Sequence, residues 1–201
     1  MLPLWRLTRN RYGRALYESL RELGVTGTRM YEYVTDLDDG DVARPAPESG
    51  VELRVCDPDD SGPNDPDDLD ARPAAFDERR PDELVVVARS GGETAGYLLL
   101  SADGSLYVRP LETDLTFDGA YVRRLFVDPV HRNRGIATAL VATALATARD
   151  EFGAGRATAL VAADNRPSQW VFEANGFRRE RIHAYYRLFG LARRTTAPVR
   201  R

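Results

Sequence analysis

Lysine is missing from this chain: every one of the 28 basic residues is Arg. Cysteine is nearly missing too. Cys56 stands alone, which excludes an internal disulfide and a Cys-rich metal site and leaves a buried, inert thiol as the reading. The two histidines, His131 and His183, are far apart in sequence and make no metal centre with one Cys, so no metal is expected. No apolar run approaches the roughly 20 residues of a membrane span, and the opening residues 1–5 are too short for the apolar core of a signal peptide. The expectation is a cytoplasmic protein with no membrane partner. A net charge of −3 gives no general reason to bind nucleic acid, so an anionic ligand must be met by a local patch. What is present is ordinary for a globular domain. Hydrophobic residues make up 43% and charged residues 29% of 201 residues, enough for one domain with a sizeable core or a smaller one carrying an extension.

Residues 1–50 read as such an extension. Leu7, Tyr12, Leu16, Leu20 and Leu23 form an imperfect helical stripe that Gly24 is placed to end, and residues 29–35 alternate as a strand does. An acidic, Pro-containing linker follows. The basic helix allows a membrane-surface reading, but a stripe of this kind more often packs on the protein's own core. Residues 51–56 read as a strand. Asp57, Asp59, Ser61, Asp65 and Asp68 then fall at calcium-loop offsets, but Pro58, Pro63 and Pro66 break the loop up, and a solvated segment is the preferred reading. Residues 83–89 and 94–100 make a hairpin around Gly91-Gly92. A short strand is expected at 106–108 and a firm one at 120–127. Residues 135–152 are helical, with Ile136, Leu140, Ala144 and Ala148 on one face and Gly153 after the end. A buried strand at 157–163, a helix capped by Asn165 and stopped by Gly176, and a strand at 177–188 complete the pattern. Residues 191–201 read as an Arg-rich tail. Strands first and alternating helices later predict a mixed α/β (α+β) fold, with the catalytic domain at residues 51–190.

The chemistry concentrates where the strand ending at Val127 turns into the helix opening near Gly135. A helix N-terminus presents backbone N–H groups without internal partners and about half a positive charge, so it binds phosphate. Glycine at that point lets the phosphate approach those amides. Between Arg123 and Arg134 lie four Arg against the single Asp128, a locally cationic patch in an acidic protein. Neither the GxxxxGK[ST] nor the GxGxxG signature is present. Present instead is Arg132-Asn133-Arg134-Gly135-Ile136-Ala137, the pattern [Q/R]xxGx[G/A], after a strand and an Asp-Pro corner and ahead of an Ala-rich helix, a strand, Asn165, and Glu173-Ala174-Asn175-Gly176-Phe177.

That order resembles the GNAT superfamily of acyl-CoA N-acyltransferases over residues 51–188. The resemblance implies a mostly antiparallel twisted sheet flanked by helices and acetyl-CoA, or another acyl-CoA, as co-substrate. It implies that the loop from Arg132 through Asn133, Arg134, Gly135 and Ile136 to Ala137 holds the pyrophosphate by main-chain amides. The strand end Leu125-Phe126-Val127 would pair with the pantetheine arm, with the Phe126 and Val127 backbone meeting the thioester carbonyl, and Asn165 would contact the arm.

Two family features are missing. The usual general acid, a Tyr, is replaced by Phe172, which would border the coenzyme but cannot donate a proton. A thiol of pKa ~8.5 leaves as thiolate at pH 7 at a cost of roughly 2 kcal/mol, so unassisted departure is tolerable. Tyr185 or Tyr186 could substitute from the last strand, although Tyr pairs in strands are usually packing residues. The Glu that serves some members as base is replaced by Tyr121. An amine of pKa ~10.4 must lose its proton first, at roughly 4 to 5 kcal/mol, and Glu112, Asp114 or Asp118 could accept it through water if they are more than solvated loop carboxylates. Arg123 and Arg124 point to opposite faces of their strand; one could meet an acceptor's anionic group, and an ion pair with a neighbouring carboxylate is the plain alternative. The leading function is acetyl transfer to the amine of a small molecule or peptide. A non-catalytic acyl-CoA-binding module is the alternative, nucleic acid is not an expected partner, and a homodimer is left open.

Overall fold

The computed structural model describes residues 25–37, 49–57, 79–102 and 104–199. The expected N-terminal helix and nearly all of the calcium-like Asp-rich segment lie outside them. One eight-stranded sheet organises the molecule, in the order β10-β9-β1-β8-β7-β4-β3-β2. Its members are β1 (Val25–Asp36), β2 (Val51–Cys56), β3 (Leu84–Ser90), β4 (Glu93–Ser101), β7 (Ala120–Val127), β8 (Arg156–Ala162), β9 (Arg178–Leu188) and β10 (Leu191–Pro198). Between β4 and β7 the chain makes a separate two-stranded hairpin, β5 (Gly104–Val108) with β6 (Thr113–Phe117). Every neighbouring pair is antiparallel except β7 with β8, so the sheet is mixed and mostly antiparallel, as expected.

The two α-helices among the described residues serve one face. Helix α1 (Ile136–Asp150) follows β7, and α2 (Arg166–Ala174) follows β8. Alanine favours the α1 helix and lets it approach the sheet closely. Ile136, Leu140, Ala144 and Ala148 are all buried, against Leu84, Val86, Leu98, Leu100 and Val122 of the strands and Phe172 and Phe177 at the far end of α2. At Gly96 the approach of β4 to β7 and α1 becomes a requirement: a Cβ there would stand 2.7 Å from the Phe126 carbonyl oxygen and 3.3 Å from Leu140 Cδ1. On the other face, Val108, Leu111 and Phe117 pack with Tyr121 and Tyr185, and Met30 and Leu160 adjoin them.

Three elements differ from the sequence reading. The strand expected at residues 29–35 runs from Val25 to Asp36 and is not set apart from the rest: it pairs with β8 on one side and β9 on the other. The segment at 113–117, read as loop, is β6. The supposed tail forms β10, paired with β9 from Leu191↔Leu188 to Pro198↔Arg181. β10 is exposed at all of its positions, so it carries none of the apolar alternation by which a strand shows itself in sequence. Its partner is backbone rather than core.

Candidate active site

Parallel strands β7 and β8 are held together by only three residue pairs, Ala120↔Ala157, Tyr121↔Thr158 and Val122↔Ala159. Beyond them the strands separate. A bulge marks the departure: Arg124 has φ +58°, and the register of β7 against β4 shifts between Tyr97 and Leu99. The β7 edge facing the gap, from Leu125 to Val127, is therefore paired with no second strand among the described residues, while the opposite edge stays tied to β4 through Tyr97↔Phe126 and Gly96↔Val127.

The gap opens into a cleft of about 580 Å³ lined by Leu125, Phe126 and Val127 of β7, by His131, Arg132, Asn133, Gly135, Ile136, Ala137 and Thr138 of the loop and first turn, and by Asn165, Pro167, Ser168, Trp170 and Val171 on the α2 side; Arg134, also expected at the coenzyme, is not part of the lining. Asp128 and Pro129 form the corner between them: Asp128 accepts from the Val130 N–H at 2.9 Å and opens a 3-10 turn over Pro129–His131. Asn133 and Gly135 both take positive φ, 63° and 72°. Gly135 is the N-cap of α1. A Cβ on it would meet nothing within 4 Å, so the space before the helix is open.

Of the residues that the sequence nominated for the coenzyme, Leu125, Phe126, Val127, Arg132, Asn133, Gly135, Ile136, Ala137 and Asn165 line this one cleft. Arg132 has a second duty, because its Nε donates to the Val127 carbonyl at 3.0 Å and so pins the loop to the strand end. Arg134 is half-buried and donates to His131 Nδ1 at 3.2 Å, which fixes His131 as the Nε2–H tautomer when neutral. Asn165 holds the N-cap position of α2, but its amide donates to Ser168 Oγ at 2.8 Å instead of capping the helix. Gln169, unforeseen from the sequence, is fully buried and donates to the carbonyls of Ala162 and Ala163 at 3.1 and 3.0 Å. It locks α2 to the end of β8 and so sets the outer wall of the gap.

The proton-transfer candidates do not gather there. Phe172 is buried in the core, 5.1 Å from Phe177 and 6.3 Å from Tyr33 between ring centroids, and it is not part of the cleft lining. Its position in α2 turns it toward the sheet while Val171 faces the cleft. Tyr121 is stacked on Phe117 at 4.0 Å on the face away from the helices, and burial, partly offset by Arg123, pushes its hydroxyl well above the ordinary range. Tyr185 donates to Glu112 Oε2 at 2.5 Å; that bond, then burial, raises its pKa. The pair is held by Arg187, 3.2 Å from Glu112, and by Arg194, which lies over the Tyr185 ring and donates to the Glu112 carbonyl at 2.7 Å. Two sequence candidates, one for acid and one for base, thus satisfy each other. Tyr186 is half-exposed, and Asp114 and Asp118 are exposed. Arg123 makes a two-pronged ion pair with Glu83, Nε to Oε1 at 2.6 Å. Glu83 is wholly buried, so the plain alternative for Arg123 holds. No cluster of metal-ligating side chains occurs among the described residues, and no described helix is long and apolar enough to cross a membrane.

Comparison with known proteins agrees with this geometry. The family profile described as Acetyltransferase (GNAT) family matches residues 51–177. No curated protein matches. Among solved structures, a GCN5-related N-acetyltransferase from Kribbella flavida aligns with a TM-score of 0.51 at 18% identity, over 82% of this chain and 60% of that one. One from Sphaerobacter thermophilus gives 0.53 at 15%, over 92% and 57%. A tandem GNAT protein from the clavulanic acid biosynthesis pathway gives 0.53 at 18%, over 94% and 59%. At these identities the likeness is one of fold, and the chain spans about three fifths of the length of these structures. With the profile covering well over half its length, the chain belongs to the acetyltransferase (GNAT) family.

Proposed function

We propose that the chain binds acetyl-CoA or a related acyl-CoA in the cleft between β7 and β8 and transfers the acyl group to an amine of a small molecule or peptide. The observation that carries this reading is the parting of two parallel strands beside a helix N-terminus opened by a left-handed glycine. The pantetheine arm contains amides, and the end of β7, with no second strand beside it among the described residues, offers it the pairing of a missing strand. The pyrophosphate would sit on the amides before α1, where the helix field favours negative charge. A thioester carbonyl reaching Phe126 and Val127 would take a backbone N–H, which stabilises the oxyanion formed when the amine attacks. Collapse of that intermediate breaks the C–S bond and releases the thiolate. The acceptor's ammonium must lose one proton before attack, its nitrogen loses a second as the intermediate collapses, and the sulfur regains one. With Phe172, Tyr121 and the Tyr185–Glu112 pair outside the cleft lining, bulk water is the available carrier.

Those same placements support a second reading, a module that binds acyl-CoA without turnover. Free-thiol release with acetyl-CoA across a panel of amines separates the two. Release that depends on the amine supports transfer. Calorimetric binding of acetyl-CoA without release by any amine supports the module, and absence of binding overturns both.

A further inference from the structure

We propose that the tip of the β9–β10 hairpin, together with residues 1–24, docks this protein on an anionic lipid surface. The reading is independent of what the cleft binds. Four of the eight large hydrophobic side chains that stand exposed among the described residues, Tyr186, Leu188, Phe189 and Leu191, fall within this one tip. Three of them also face one way. Leu188 pairs with Leu191 and Tyr186 with Arg193. Cross-strand partners share a face while successive side chains alternate, so these four residues stand on the face opposite Tyr185, Arg187 and Arg194, which are occupied with Glu112. Phe189 gives the strongest sign. It and Gly190 take φ of 46° and 88°, the two positive values of a type I′ hairpin turn, whose first position favours Asn, Asp or Gly. A bulky residue is disfavoured there, and this one is 78% exposed. The sequence keeps an unfavourable aromatic where nothing in the described fold uses it.

Charge selects the partner. Residues 181–194 hold four Arg and no Asp or Glu, in a chain whose net charge is −3. Arg193 stands exposed on the apolar side of the hairpin. Residues 1–24 add five Arg against Glu18 and Glu22, and the register brings them to the same place, because β1 starts at Val25, which pairs with Leu188. The apolar stripe of that segment, Leu7, Tyr12, Leu16, Leu20 and Leu23, beside so many Arg, is the pattern of a segment that lies in a lipid interface with its charges toward the headgroups. A second copy seated on the tip, or the cationic segment folded back over it, would bring Arg against Arg193. An anionic bilayer suits both features, since its headgroups attract Arg and its acyl boundary takes up Leu188, Phe189 and Leu191. That no described helix is long and apolar enough to cross a membrane sets no limit on binding at its surface.

The experiment floats the full chain with vesicles of phosphatidylcholine alone and with vesicles of equal parts phosphatidylcholine and phosphatidylglycerol. The parent should rise with the anionic vesicles and stay behind with the neutral ones. Phe189→Asn supplies a residue type that the turn prefers, so its Tm should equal or exceed the parent's while its affinity for the anionic vesicles falls about 10-fold or more. Arg193→Gln should cost about fivefold, a difference that high salt removes. Failure of the parent to float, equal flotation with both vesicle types, or full vesicle affinity in Phe189→Asn overturns the proposal. A parent dimer that Phe189→Asn dissociates overturns it in favour of a contact between copies. A Phe189→Asn variant that melts lower and floats like the parent overturns it in favour of packing within the chain.

Discussion

A Cβ on Gly135 would point into open space, so substitution there separates folding from binding. The cost to the fold is that of holding an L-residue at φ +72°, roughly 1–2 kcal/mol, or about 2–8 °C in Tm for a chain of this size. The cost to the site should be larger, because the side chain would occupy the position proposed for the phosphate. Gly135→Trp is expected to keep its far-ultraviolet circular dichroism and cooperative melt while calorimetry detects no acetyl-CoA binding; near-normal affinity would remove the central claim. Phe172 gives the opposite result. Its ring lies among Tyr33 and Phe177, so Phe172→Tyr puts a hydroxyl into apolar surroundings at roughly 1–3 kcal/mol. A lower Tm with unchanged coenzyme affinity and no gain in thiol release is expected, and faster release would show that the hydroxyl reaches the departing sulfur. The opening of α1 at Gly135 was legible from sequence because a backbone requirement selects a residue type. It misplaced Phe172, because one helical step decides between cleft and core, and spacing alone does not resolve a 100° turn.

At the scale of elements, the cleft depends on how tightly β4, β7 and α1 close on one another at Gly96. The Cβ introduced by Gly96→Ala would have to displace the Phe126 carbonyl and crowd Val127 and Leu140. Overpacking of this kind costs typically 1–3 kcal/mol. Because the displaced atoms belong to the strand end that would hold the arm, coenzyme affinity should fall together with stability. Paired measurements of Tm and calorimetric affinity test this, and a variant that melts lower but binds normally would show that the β7 edge does not meet the coenzyme. Elements with a buried stripe were legible from sequence. β2 and β7 match their expected ranges, and α1 falls within a residue or two. β10 and β6 were not, since β10 buries nothing and β6 pairs only with β5. The two edges of β7 were likewise invisible, because pairing partners are a property of topology and not of local pattern.

For the molecule as a whole, β1 is the tie between the cleft-side strands and the β9–β10 hairpin, and it brings a buried polar contact with it. Glu32 Oε2 lies 2.6 Å from His183 Nε2, whose other nitrogen meets Thr196 Oγ1 of β10 at 3.0 Å. Burial alone would raise the Glu32 carboxyl, but the hydrogen bond and charge of His183, with Arg181 and Arg156, outweigh it and hold the group below its ordinary value. A lowered folded-state pKa means that the unfolded chain takes up the proton first as pH falls. The contribution of Glu32 is therefore complete above about pH 4.5 and is lost as pH falls through the folded-state pKa. Denaturant titrations across pH 3–7 should show that Glu32→Gln removes this component of the acid sensitivity. Identical pH profiles for parent and variant would show that the contact is energetically silent.

The central place of β1 also bears on how the chain is made. Asp36 pairs with Arg156, and β9 follows later still. At a synthesis rate of about 5–20 residues per second, β1 leaves the ribosome roughly 6–24 s before its first partner is complete. During that interval a strand destined for two neighbours has neither, and both of its edges are open to the wrong ones. A circular permutant that delivers this strand last would add it to a sheet already waiting for it, and would remove the interval in which both of its edges stand open.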